Sequence, residues 1–256
     1  MRQMKENIKE ICLSAIFVFV VGITVLLISC GMIAQNTAIY YPIEIWYHGC
    51  TIMDFFLPLL VSLPFSYVML MKRKCRFIEY VAVRVKKTSY IHKQILAGML
   101  LSAVAVFLMY FISLFVSVNF FYQGATGGSG YVKNYVFGTY QVESPMLFGF
   151  VWCLWKGIVA SLFTWFGYMI ALYIDNIFVV SLAPFIYCMA ENMITGIIQI
   201  PEYSVLTSYV LNRLSPEVMH VWTFAIGVVV FVFITSIITF GVALRRRRLY
   251  ENVQKY

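Results

Sequence analysis

Six runs of this chain are each long and apolar enough to cross a lipid bilayer, at about residues 11–34, 55–71, 95–121, 146–174, 177–200 and 221–244. A bilayer core needs roughly 20 such residues in a helix. Lipid offers no hydrogen-bond partners, so backbone at that depth must satisfy itself internally. The runs predict an all-α integral membrane protein of six transmembrane helices, one domain over residues 1–256. Composition agrees: 62% of residues are apolar and only 12% charged, with a mean hydropathy of +0.84. A globule in water, which carries about 25% charged residues, could not be covered by so few. The apolar core of the first run exceeds the roughly 7–15 residues of a signal-peptide h-region, so it reads as a retained span.

The net charge of +8 would suggest nucleic acid if it were spread over a surface. It is confined to three places instead. Arg2, Lys5 and Lys9 precede the first span; Lys72, Arg73, Lys74, Arg76, Arg84, Lys86, Lys87 and Lys93 follow the second; Arg245, Arg246, Arg247, Arg248 and Lys255 follow the sixth. That is sixteen of the nineteen cations, leaving Lys133 and Arg213 opposite and Lys156 within a span. Positive charge marks the cytoplasmic side, so both termini are expected in the cytoplasm and the chain in a plasma membrane. No nucleic acid is needed to explain the charge. Residues 35–54, with Tyr40, Tyr41, Trp46 and Tyr47, read as an outer segment with an aromatic belt. Gly124–Gly130, "GATGGSG", reads as a flexible outer loop.

Catalytic patterns are missing. His48, His92 and His220 all fall outside the middle of the spans, and there is no H-E-x-x-H to hold zinc. "GGSG" at Gly127–Gly130 matches a serine-protease string only by letter, since Ser129 sits in a Gly-rich loop. There is no phosphate-binding G-x-x-x-x-G-K-[ST], so any ATP would be handled by another polypeptide. The six cysteines show no C-x-x-C spacing, and most lie in apolar runs; Cys30 and Cys50 are both placed to reach the outer face, where a bridge is conceivable.

Two ionisable residues lie deep in spans, Lys156 in the fourth and Glu191 in the fifth. Buried charges usually pair or line a cavity. Both lie about 14–15 Å below the outer ends of their helices at 1.5 Å per residue, and a turn at Asp175–Asn176 joins the two helices. They are expected to pair, either as a structural link or as a polar site on a substrate path. Pro184 in the fifth span is expected to kink or break that helix.

The stretch Met71–Leu100, "MKRKCRFIEYVAVRVKKTSYIHKQILAGML", places a short mixed segment between basic clusters and predicts an interfacial helix with Phe77, Ile78 and Val81 as apolar contacts. Its order, with Tyr80, Val83, Arg84, Val85, Lys86, Lys87, Tyr90 and Lys93, resembles the ABC type-2 transporter permeases of Gram-positive bacteria. Cys75 and Arg76 depart from the Gly- or Asn-containing turn of that pattern. The resemblance implies a permease subunit of an ABC exporter, moving a peptide, lipid or antibiotic-like molecule. It would work with a second permease subunit, the same or different, and with separate ATPase chains that hold ATP and Mg. Arg76, Phe77, Ile78, Tyr80, Val81 and Arg84 would form a coupling helix against the ATPase. Met1–Glu10 would be an amphipathic helix along the inner surface, and Pro201–His220 an outer re-entrant region closing the exit. An ion-coupled secondary transporter is the alternative, though such proteins usually show paired interrupted helices in two halves. An intramembrane enzyme is a more distant one.

Overall fold

The computed structural model describes residues 2–82, 87–124 and 132–253, all of them in helices, turns and loops without a strand. The helices are α1 (Arg2–Asn36), α2 (Glu44–Lys74), α3 (Phe77–Ala82), α4 (Lys87–Val116, continued by a π-turn over Ser117–Phe121), α5 (Gly138–Glu143), α6 (Pro145–Ala171), α7 (Ile177–Ile197), α8 (Val205–Tyr209) and α9 (Thr223–Val253). Six contain segments that can cross a membrane: Lys9–Asn36, Glu44–Lys74, Thr88–Phe121, Pro145–Ala171, Ile177–Ile197 and Thr223–Gly241. The chain therefore has the architecture of a multi-pass membrane protein. Large apolar side chains such as Leu13, Phe178, Ile197 and Phe233 point outward, as a lipid-facing surface requires.

Helices α2, α4 and α6 form the centre. On α2, Trp46, Cys50, Met53, Leu57, Val61 and Phe65 are buried at spacings of three and four, one face of a 3.6-residue helix. Along α6, glycines allow close approach. A side chain at Gly157 would meet the Ala103 carbonyl oxygen at 2.9 Å, and one at Gly149 would meet Leu114 at 2.5 Å. Small residues at such contacts are how membrane helices gain van der Waals packing without a hydrophobic drive between them.

The early part of α1, the foot of α2 and the end of α6 lie together at one end of the bundle, here termed the basic end. Lys72 at the foot of α2 sits 3.2 Å from Glu10 of α1. Arg73 donates to the Ile174 carbonyl at 2.7 Å and pairs with Asp175 beyond α6. The start of α9 meets the opposite, loop end, where Phe224 lies 5.1 Å from Trp152 and 6.1 Å from Phe137.

Three expectations change. Residues 2–10 continue directly into the first span as one helix instead of forming a separate surface helix. The second span starts at Glu44, eleven residues before the boundary expected from hydropathy, because His48 and Asp54 dilute an otherwise continuous apolar stripe. Helix α7 runs unbroken through Pro184. The carbonyl that Pro184 deprives of a donor is that of Val180, and beside it the Ser62 hydroxyl donates to the Ser181 carbonyl at 2.7 Å. Cys30 and Cys50 are buried free thiols, with no bridge between them.

A short helix, α3 (Phe77–Ala82), forms between the second and third spans, where the sequence places the interfacial helix. Arg76 joins α2 to α3 at φ 52°, in the left-handed region. An L side chain there costs roughly 1–2 kcal/mol, which is why a Gly or Asn would be the ordinary choice. Val83 and Arg84, with Val85 and Lys86, lie outside the described residues, as does Ser129.

Candidate functional site: a buried charge cluster beneath a re-entrant helix

At the middle of the bundle Lys156 meets Asp54, not Glu191. The ammonium Nζ donates to Asp54 Oδ1 at 2.6 Å and to Oδ2 at 2.8 Å. Both side chains are almost wholly buried, at 1% and 2% exposure. The Tyr110 hydroxyl donates to Asp54 Oδ1 at 2.5 Å. Lys156 Nζ also lies over the Tyr110 ring, 4.1 Å from its centre, and 5.1 Å from the centre of the Trp46 ring. Two aromatic faces complete the ammonium's surroundings by cation–π attraction. Trp46 is held in turn by its indole N–H, which donates to the Tyr110 carbonyl at 3.2 Å and to Ser113 Oγ at 3.0 Å.

Each partner arrives at the same depth by helix arithmetic. Asp54 is ten residues below the start of α2, Lys156 eleven below the start of α6, and Tyr110 eleven before the end of the π-turn. At 1.5 Å per residue all sit about 15–17 Å from the loop end. Lys156 faces away from Glu191 because α6 packs its glycine face on α4 and α2, while α7 packs more extensively on α2 than on α6. The tight turn brings the helix ends together without joining these faces.

The segment after α7 folds back into the bundle. A 3₁₀ turn at Pro201–Tyr203 leads to α8, all five residues of which are buried. Glu191 accepts from the Val205 backbone N–H at 3.2 Å and 3.1 Å through its two oxygens. The Ser204 hydroxyl caps the same terminus, accepting from the Leu206 N–H at 3.1 Å. Orphan N–H groups at a helix start are thus satisfied, so Glu191 is a capping group on a re-entrant helix. Arg213 closes the clasp, donating to Asn192 Oδ1 at 2.6 Å and to Thr207 Oγ1 at 2.7 Å. On the other flank the Trp155 indole N–H donates to the Ser208 carbonyl at 2.8 Å.

One bond links the two clusters. The Tyr209 hydroxyl, at the tip of α8, donates to the backbone carbonyl of Asp54 at 3.1 Å. That carbonyl lacks its usual i+4 donor because Pro58 stands there. Tyr209 replaces the missing helical bond, and burial pushes its phenol well above the usual range, so it keeps the proton it donates. The re-entrant helix is therefore anchored beside the buried ion pair.

At the basic end, Ile78 is buried on the bundle and Phe77 leans on the Tyr90 ring, with centres 6.4 Å apart. Tyr80 is 56% exposed and Val81 partly exposed. The apolar contacts expected of this helix thus divide: Ile78 is buried, whereas Phe77 and Val81 are only partly so. Among the described residues, no group of three His, Cys, Asp or Glu side chains is placed to hold a metal.

Comparison with known proteins finds no matching family model, no similar curated protein and no similar solved structure.

Asp54, Tyr110 and Tyr209 were not singled out from the sequence. A signal existed for Asp54: Asp54 and Pro58 are spaced i, i+4, which marks Asp54 as a carbonyl in need of a donor, and the α2 stripe extends past Asp54 toward Trp46.

Proposed function

We propose that this chain is the membrane-spanning permease subunit of an ATP-driven exporter, with hydrolysis on separate ATPase chains and a second permease subunit completing the pathway. The observation that carries the reading is α3. It is a one-and-a-half-turn helix at the basic end between the second and third spans, seated by Ile78 with Tyr80 exposed. A helix of that kind offers a partner a short apolar knob on a rigid base. The basic end is cytoplasmic in this reading, in line with its Lys and Arg excess. The re-entrant α8 at the other end suits a closure that moves against the fixed centre. The substrate, of apolar or amphipathic character, would pass along the surface shared with the second subunit.

The test is Tyr80→Asp in the chain coexpressed with phosphate-binding-loop ATPase chains of the same organism. Folding and membrane insertion are expected to persist, because Tyr80 is outside the core. ATPase copurification is expected to fall at least tenfold, since interface energy concentrates in a few aromatic anchors. Undiminished copurification would remove the support for the exporter reading.

A second reading, an ion-coupled secondary transporter, is favoured by the Asp54–Lys156 pair, since charged residues inside membranes often mark ion paths. Transport that collapses with the proton or sodium gradient, at constant ATP, would select it.

A further inference from the structure

A groove of about 620 Å³ opens between α1 and α2 at the basic end, within the roughly 300–1,000 Å³ of typical ligand sites. Its wall is apolar and faces the lipid: Leu13, Phe17, Leu63 and Tyr67 line it and are each at least 42% exposed. At its basic-end limit the wall turns polar, with Lys72 and Glu10. Lys72 is 6% exposed, yet among the described residues its Nζ makes no well-aligned hydrogen bond. Among the described residues its charge is met by Glu10 alone, at 3.2 Å, and that carboxylate is itself 56% exposed. An ammonium carries three donors, and a buried polar group left without acceptors is costly. The site therefore joins an acyl-chain-sized apolar channel to a cation short of acceptors, near the basic-end limits of two apolar helices.

We infer that this groove binds one anionic phospholipid, its acyl chain along Leu13, Phe17, Leu63 and Tyr67 and its phosphate on Lys72 in place of the half-exposed Glu10 carboxylate. The complementarity is specific: apolar length against chain, single buried cation against phosphate. Basic pockets between membrane helices on the inner side take anionic headgroups for this reason. Glu10 acts as a stand-in that leaves when the phosphate arrives. The assignment is independent of any ATPase.

The experiment titrates the full chain in detergent with palmitoyl-oleoyl phosphatidylglycerol or the phosphatidylcholine of identical chains, reading bound lipid by native mass spectrometry. Phosphatidylglycerol is expected to bind about fivefold tighter, the effect of one cation near a lipid surface. Lys72→Met should erase the difference between the two lipids, and Lys72→Arg should retain it. Glu10→Gln, which removes the competing carboxylate without touching the cation, should widen it, and this arm decides the matter if Lys72→Met does not fold. Lys74→Gln, on the exposed neighbour outside the groove, should leave it unchanged. Equal binding of the two lipids, an unaltered preference in Lys72→Met or Glu10→Gln, or an equal loss in Lys74→Gln would overturn the assignment. So would displacement of phosphatidylglycerol by millimolar inorganic phosphate, which would make the site one for free anion.

Discussion

The molecule contains two charge clusters set into apolar helices, and they are built differently. Around Asp54 and Lys156 every partner is buried, two donors reach the carboxylate from Lys156, and aromatic rings fill the rest. Around Glu191 the carboxylate meets the Val205 backbone N–H through both oxygens, and the cation Arg213 binds Asn192 and Thr207 instead of the acid itself. The first is a buried ion pair joining two spans. The second is a partly exposed clasp that holds a short helix in place. A buried pair leaves an uncompensated charge if one member goes, whereas a clasp of several hydrogen bonds yields in steps and leaves room for motion.

The largest effect is expected from Asp54→Asn. It leaves the Lys156 ammonium buried without a counter-charge, which costs about 3–5 kcal/mol. Thermal unfolding in detergent, read as a fall in Tm, measures it. A loss no greater than that of Glu191→Gln would mean the two clusters are equivalent.

Glu191→Gln comes next. The amide oxygen still accepts from Val205, but the charge at the α8 start is gone, so a loss of about 0.5–2 kcal/mol is expected, in the range of a helix cap. The change should be local: hydrogen exchange should quicken at residues 205–209 and leave α2 and α6 untouched. Exchange that quickens across all three would tie the clasp to the centre more tightly than the structure does.

Tyr209→Phe is smaller, about 1 kcal/mol for one neutral hydrogen bond. Because that bond bridges the clusters, its removal should speed exchange both in α8 and at Pro58's neighbours in α2. Faster exchange in α8 alone would make Tyr209 a packing residue without a bridging role.

Much of the fold is legible in the sequence, because run length and apolarity alone specify six membrane helices. What was not legible follows from packing. The α2 start escaped because Glu44, His48 and Asp54 lower the running hydropathy, although Trp46, Cys50, Met53 and Leu57 keep the helical stripe. The partner of Lys156 escaped because adjacency through a turn is a weaker constraint than close approach at Gly149 and Gly157, which turns α6 toward α4 and α2. Glu191 could not be read as a cap without α8, a helix of five residues that no periodicity marks. The existence of α3 was legible from the apolar break between basic clusters; that Ile78 points inward was not.

The most direct measurement is a pair of double-mutant cycles sharing Lys156→Met, one with Asp54→Asn and one with Glu191→Gln, each read by unfolding in detergent. The expected result is a coupling of about 0.5–3 kcal/mol for Asp54 with Lys156, the range found for residues in contact, against additivity within about 0.3–0.5 kcal/mol for Glu191 with Lys156. Strong coupling between Lys156 and Glu191, with Asp54 additive, would contradict the two-cluster architecture at its centre.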